Sequence, residues 1–253
     1  MSQFNLSGKT AIVTGGNGGI GRGIALALAE AGANVCIAGR NEQKNEKVRM
    51  EIEGLGASVI AQRCDVNDNT SIAETIEATI DAFGGLNILV NNAGIVTLNS
   101  PEAITDEEWM SLIDTNLNSV FRFCRAAHQS LVKAGGGKII NIGSMYSIFG
   151  SPFAASYAAS KGGVVQLSKS LAVSWAEDNI QVNAILPGWI ETDMTAPLET
   201  DMAEIHAAII ARTPARRFGQ PEEIGGTAVY LASSASNFVT GQSIAVCGGY
   251  SIA

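Results

Sequence analysis

The chain has 253 residues, 46% of them hydrophobic, and a formal net charge of −8. That length can bury a large core in one or two domains, and an acidic balance without a basic cluster argues against a nucleic-acid surface. No apolar run approaches the roughly 18 residues of a membrane span, and residues 1–9 lack the charged start and apolar stretch of a signal peptide.

Residues 9–14 read as a short buried strand, apolar and β-branched. Gly15-Gly16-Asn17-Gly18-Gly19-Ile20-Gly21 follows and residues 22–29 read as a helix. Strand, glycine loop and helix form the context of a dinucleotide site. Glycines let the backbone approach a pyrophosphate, and the helix start offers free N–H groups. The spacing is ambiguous, because Gly16, Gly18 and Gly21 fit one pattern while Gly15, Gly19 and Gly21 fit another.

Residues 34–38 form a second strand, followed by Gly39-Arg40-Asn41 with no acid at the strand end. An NAD site usually places a carboxylate there for the ribose 2′-OH. A guanidinium suits a 2′-phosphate instead. Arg40 therefore favours NADP(H), with NAD(H) kept open and an ordinary loop charge as the bland alternative.

Residues 42–54 are helical, 57–61 form a third strand ending near Asp65-Val66, 70–83 are amphipathic, and 86–90 form a fourth strand. A long helical region spans 106–133, then come a strand at 138–142, a helix at 155–177 and strands at 180–186 and 242–246. Alternation of this kind predicts an α/β Rossmann fold: one doubly wound seven-stranded parallel sheet with helices on both faces. Without a composition break, residues 1–253 read as a single domain. Residues 187–221 interrupt the rhythm, with a short helix near 201–211, and suit a substrate loop at about 188–220 or a surface insertion that only packs.

Cys36, Cys64, Cys124 and Cys247 are scattered without a C-x-x-C pair and read as buried reduced thiols. His128 and His206 lack partners at metal-ligand spacing, so no metal site is expected. These signs point to a soluble cytoplasmic protein.

Tyr157 and Lys161 stand four apart, which places them on one helix face. A cation beside a phenol favours the phenolate, so such a tyrosine can exchange a proton with a substrate oxygen. Alone, Tyr-x-x-x-Lys also fits a half-exposed helix face.

Taken together, Thr14-Gly15-x-x-x-Gly19-x-Gly21, Asp65, Asn91-Asn92-Ala93-Gly94, Asn116, Ser144, Tyr157-x-x-x-Lys161 and Pro187-Gly188 with Thr192 resemble the short-chain dehydrogenase/reductase family over essentially the whole chain. The resemblance implies sheet order 3-2-1-4-5-6-7 and a catalytic set of Asn116, Ser144, Tyr157 and Lys161. Tyr157 would be the general acid/base and Ser144 would bond the substrate oxygen. Lys161 would hold the nicotinamide ribose and lower the Tyr157 pKa, and Asn116 would anchor a relay water. The cofactor would meet Gly15, Asn17, Gly19, Ile20, Gly21, Arg40, Asp65, Val66, Asn91, Ala93, Gly94, Pro187, Gly188, Ile190, Thr192 and Met194 as well as Tyr157 and Lys161.

The implied activity interconverts a ketone and a secondary alcohol (EC 1.1.1.-). Ile95, Val96, Met145, Tyr146, Phe149, Phe153, Trp189, Ile190 and Met194 are candidate pocket residues by family position. Two branches are similar. The loop 187–195 is similar to that of 3-oxoacyl-[acyl-carrier-protein] reductases, while Ser144-Met145 and Gly248-Gly249-Tyr250 look like sugar and sugar-acid dehydrogenases, some NAD-dependent. An acidic carrier protein would need a basic dock, for which Arg122 and Arg125 are candidates. A homotetramer is implied, with helices 106–133 and 155–177 as plausible interfaces. A dinucleotide sensor without catalysis is disfavoured, because Ser144, Tyr157 and Lys161 are all present.

Overall fold

The computed structural model describes residues 3–253. Seven parallel strands line up as β3-β2-β1-β4-β5-β6-β7, the order the resemblance implies. They are β1 (Thr10–Thr14), β2 (Asn34–Gly39), β3 (Val59–Arg63), β4 (Ile88–Asn91), β5 (Gly137–Ile142), β6 (Ile180–Pro187) and β7 (Ser243–Val246). The inner strands β1, β4 and β6 are buried at every residue, as expected of strands with helices on both faces.

Because side chains alternate, each strand feeds two cores. Val13, Ile37, Ile140 and Ile185 pack on one face against α1 (Gly19–Glu30), α2 (Glu42–Gly54) and α9 (Glu222–Ala232). Ile12, Leu89, Ile139 and Val182 pack on the other against α3 (Asn69–Phe83), α5 (Ser119–Lys133) and α6 (Ala155–Ser174). Three further helices, α4 (Asp106–Ile113), α7 (Ala196–Thr200) and α8 (Ala203–Arg212), lie in the connections.

Several boundaries differ from the sequence reading. β3 begins at Val59, where its register with Val35 of β2 starts, and β4 begins at Ile88 opposite Ala11 and Lys138. The region 106–133 is broken at residues 114–118 by a π-helical turn. α9 went unread because Gly225 and Gly226 dilute its helical pattern. Gly225 serves packing: a Cβ there would sit 2.6 Å from the Ala27 Cβ of α1. Cys36, Cys64 and Cys124 are buried free thiols, but Cys247 is only half-buried. Burial pushes its pKa up, yet bonds from Ser251, Gly249 and Tyr250 outweigh that and hold it below the usual value. No described helix is long and apolar enough to cross a membrane.

Candidate active site

The glycine loop settles its own ambiguity. Gly15 and Gly19 have φ of +61° and +47°, the left-handed region that favours glycine. A Cβ on Gly21 would lie 2.1 Å from the Gly15 carbonyl oxygen and 2.4 Å from Asn92 Nδ2, whereas one on Gly18 meets nothing within 4 Å among the described residues. Gly15, Gly19 and Gly21 are thus all required, whereas the rival pattern depends on the unconstrained Gly18, although a Cβ on Gly16 would also crowd the Val13 carbonyl at 2.9 Å. α1 starts without a side-chain cap and without an acid in its first turn, so its leading N–H groups and dipole are free for an anion.

Thr14 and Asn92 lock the loop to the neighbouring strand. Thr14 Oγ1 accepts from the N–H groups of Asn92 (2.9 Å) and Ala93 (3.1 Å). Asn92 Nδ2 donates to the carbonyls of Thr14 (3.0 Å) and Gly15 (3.1 Å). On the other side, the buried Asn45 donates to the carbonyls of Gly39 and Gln62 and accepts from Asn17 Nδ2 at 2.6 Å. Arg40 lies exposed at the end of β2 with no ion pair among the described residues. Phosphate groups fit this cradle: close backbone, free helix N–H groups and an uncommitted guanidinium.

A cleft of about 520 Å³ runs along the carboxyl ends of the strands. Gly15, Asn17, Gly19 and Ile20 line one end of it, and Ala93 and Gly94 its floor. Ser144, Tyr157 and Lys161 stand on one wall, while Pro187, Gly188, Ile190, Thr192 and Met194 form the opposite side. Residues far apart in sequence therefore converge as expected. Five assigned to the cofactor do not line the cleft: Gly21, packed under the glycine loop, the exposed Arg40, and Asp65, Val66 and Asn91. The Asn91 side chain is buried and donates to Asn141 Oδ1 at 2.9 Å and to Cys124 Sγ at 3.2 Å, so strand alternation turns it toward α5. Asp65 Oδ1 accepts from the Asn67 N–H of its own turn at 3.0 Å. Val66 packs against the core beside α3 and α5.

The catalytic wall is held by short-range bonds. Ser144 starts a single 3₁₀ turn, and its Oγ accepts from the Tyr146 N–H at 3.2 Å. Ser147 Oγ ties that turn to α6 by donating to the Lys161 carbonyl at 2.8 Å. Asn116 sits in the π turn, fully buried. Its amide clamps Ile95, accepting from the N–H and donating to the carbonyl at 2.8 Å each. It reaches Ser160 Oγ at 3.4 Å, which in turn donates to the Tyr157 carbonyl at 2.8 Å.

The lowered Tyr157 pKa expected from Lys161 is not what this arrangement gives, since the phenol stands above its usual value. The Lys161 ammonium lies 5.7 Å from the centre of the Tyr157 ring and donates to the Ile142 carbonyl at 2.8 Å. Burial pushes the phenol above its usual value, the Ser144 hydroxyl pulls it back, and Tyr146 adds to the rise. Burial also lowers the pKa of Lys161 itself, to about 8.

The loop 188–220 closes at its neck. Ile190 and Gly219 form a parallel bridge, with Gly219 N–H donating to Trp189 at 2.8 Å and Glu191 N–H to Gly219 at 2.9 Å. Between them, α8 is the short helix read near 201–211, and α7 precedes it unread. Thr195 Oγ1 donates to the Ile190 carbonyl at 2.7 Å and accepts from the Thr192 N–H at 3.0 Å, which holds Thr192 over Gly19. An exposed ion pair, Lys44 to Asp193 at 2.9 Å, joins α2 to the loop.

Residues 15–251 match the family described as enoyl-(acyl carrier protein) reductase. The chain is 39% identical over 247 residues to a 3-oxoacyl-[acyl-carrier-protein] reductase of Chlamydia pneumoniae, covering 98% of each. It is 42% identical over 247 residues to a 2-dehydro-3-deoxy-D-gluconate 5-dehydrogenase of Bacillus subtilis, covering 98% of this chain and 96% of that one. Among solved structures, a gluconate 5-dehydrogenase from Burkholderia cenocepacia, in complex with NADP and tartrate, superposes with a TM-score of 0.94 at 38% identity. That match covers 99% of this chain and 98% of that one. The chain belongs to the short-chain dehydrogenase/reductase family, and it is an oxidoreductase.

In this short-chain dehydrogenase/reductase the pocket lining differs in part from the sequence reading. Val96, Met145, Tyr146 and Trp189 line the cleft. Phe153 is 58% exposed, the Ile95 backbone is held by Asn116, and Phe149 packs edge-on to Tyr250. Leu198, Met202 and Tyr250 line the cleft unforeseen. Only their apolar character could have marked them, and that is shared with core residues. Asn45 was missed as well, because a polar residue on a polar helix carries no signal of burial. Of the two candidate docking arginines, Arg122 is committed to Asp114 at 2.7 Å, while Arg125 lies 5.2 Å over the Phe121 ring.

Proposed function

We propose that the chain is an NADP(H)-dependent reductase of a small ketone, a sugar acid or a 3-oxoacyl group, and in reverse a secondary-alcohol dehydrogenase. The observation that carries this is the shared cleft, with the Gly15–Gly21 cradle at one end and the Ser144, Tyr157 and Lys161 wall at the other. NADP(H) is favoured over NAD(H) by Arg40 and by the lack of an acid at the end of β2. The NADP in the Burkholderia structure supports the same choice.

When bound, the nicotinamide supplies or accepts the hydride. The leading N–H groups of α1 hold the pyrophosphate, Arg40 the 2′-phosphate, and Thr192 with Pro187, Gly188, Ile190 and Met194 the nicotinamide end. Ser144 Oγ–H donates to the carbonyl oxygen, which polarises the carbonyl. Tyr157 then gives its phenolic proton to that oxygen as negative charge develops on it. Lys161, with a pKa near 8, holds a proton beside the phenol and steadies the ribose. Asn116 is a positioning residue, since its bonds set Ile95 and, through Ser160, the Tyr157 backbone.

We further propose a cytoplasmic homotetramer acting as one domain. Exposed Phe121 and Val132 on α5 and Val173 on α6 offer apolar faces to another copy. Sedimentation as a monomer at micromolar concentration rejects that assembly. The activity is tested by NADPH and NADH oxidation at 340 nm with sugar-acid ketones, acetoacetyl thioesters, cyclic ketones and diketones. NADPH-dependent turnover of one class is expected. NADPH binding without turnover of any class counts against the reductase reading.

A further inference from the structure

Arg212 is an exposed cation at the end of α8, outside the cleft lining but stacked on its wall residue Tyr250, without an acid to neutralise it. The chain has 24 acids for 16 lysines and arginines, and Arg22, Arg49, Arg63, Arg122 and Arg217 each pair with a carboxylate. Arg212 has no carboxylate partner among the described residues. Its Nη1 instead donates to the Tyr250 hydroxyl at 3.1 Å. Its guanidinium stacks 4.1 Å from the centre of the Tyr250 ring and 5.2 Å from that of Phe149.

These rings belong to the pocket. Tyr250 lines the cleft together with Trp189 and Tyr146. Trp189 meets Tyr250 edge-on at 6.4 Å and Tyr146 at 6.2 Å, and Tyr146 meets Tyr157 at 6.1 Å. One aromatic wall thus runs from the proton donor to Arg212. The charge also reaches that wall: burial raises the pKa of the Tyr146 hydroxyl, and Arg212 acts against the rise.

The position of Arg212 is set by the chain tail as well as by the loop. It ends α8, whose preceding residue Met202 lines the cleft. Just beyond it, Ala215 N–H donates to the Gly248 carbonyl at 3.0 Å. Stacking on two rings leaves the edge of a guanidinium as a planar donor fork, which matches a carboxylate in two-point fashion. The described charged residues that line the cleft are Lys161 and Asp193. Lys161 is turned to Ile142, and Asp193 repels an anion.

We propose that Arg212 recognises a carboxylate on the far end of the substrate, reached past Tyr250, so that the enzyme acts on a keto acid and its alcohol rather than on an acyl thioester. This rests on the reductase reading above and adds the substrate class.

The test compares NADPH-dependent reduction of a keto-aldonate with that of its uncharged methyl ester, by the wild type and by Arg212→Gln and Arg212→Lys. The wild type is expected to prefer the acid. Arg212→Gln is expected to lower that preference, as a ratio of kcat/KM values, by about 10- to 100-fold, the range for a hydrogen bond to a charged group. The loss should fall on KM for the acid, and Arg212→Lys should restore part of it. A thermal midpoint for each variant reports any loss of packing on Tyr250, which would depress both substrates alike.

A wild type that reduces the ester as well as the acid, or an acid-to-ester ratio untouched by Arg212→Gln, overturns the role of Arg212 and leaves the reductase reading standing. Turnover confined to acetoacetyl thioesters does the same. Failure to reduce any ketone while NADPH binds strikes the reductase reading itself.

Discussion

The two ends of the cleft are built on opposite principles. At the glycine-loop end, backbone meets backbone: Gly21 leaves no room for a methyl group beside Gly15, and Thr14 Oγ1 and the amide nitrogens of Asn92 and Asn45 bond main-chain groups. At the substrate-loop end the contacts are side chains of α7, α8 and the tail, and Met194, Met202 and Ile205 are 44–51% exposed. A cofactor of constant shape suits the first kind of construction. A variable substrate suits the second, because a side chain there can change without moving the main chain. The lesson is that specificity for the cofactor and for the substrate can be altered separately.

The largest expected effect separates chemistry from binding. Tyr157→Phe keeps the ring and removes the proton, so turnover should fall about 10²- to 10⁴-fold while NADPH binding, followed by fluorescence titration, persists. The pH dependence carries a sign. Burial raises the Tyr157 pKa, so the phenol stays protonated through neutral pH. Reduction, which needs that proton, should be level there and fall as pH rises through the raised pKa. Alcohol oxidation needs the phenolate and should climb over the same range. Equal profiles in both directions would remove Tyr157 from the proton transfer.

Next comes the cradle. Gly21→Ala should weaken NADPH binding and destabilise the fold by about 1–3 kcal/mol through overpacking. Gly18→Ala, where a methyl meets open space and φ is extended at −176°, should stay within about 0.5 kcal/mol. Thermal midpoints decide; equal losses would mean that the backbone is not the constraint. Arg40→Ala should raise the Kd for NADPH about 10- to 100-fold with little effect on NADH. A matching rise for both cofactors would refute the 2′-phosphate contact.

The smallest effect belongs to the joint between the two ends. Lys44 and Asp193 are 55% and 92% exposed in their side chains, and such pairs contribute less than about 1 kcal/mol. Asp193→Ala should change substrate KM slightly, and the change should vanish at high salt. A large, salt-independent effect would make the loop a more rigid part of the cradle than the comparison holds.

Much of the fold was legible because its signals are local. Short apolar runs rich in β-branched residues marked all seven strands, although β3 and β4 start where cross-strand register begins rather than where the apolar run does. α9 was hidden by Gly225 and Gly226, whose use is to let α9 approach α1. The site was legible where it rests on short motifs, as at Gly15–Gly21 and Tyr157–Lys161. It failed at Asn91, because the face a strand residue takes depends on its neighbours, and at Lys161, whose effect on Tyr157 depends on where the ammonium points.

The sequence by itself determined the alternation of strands and helices, the cradle and the Tyr157–Lys161 spacing, since each needs only consecutive residues in a preferred backbone state. Only the tertiary structure decided which glycines are indispensable, that Asn45 braces the loop, and that Tyr250, with Arg212 stacked on it, shares the substrate wall with Tyr157. Those contacts join segments tens of residues apart. Sheet order, register and the docking of α8 on the tail bring them together, and no local pattern encodes that distance.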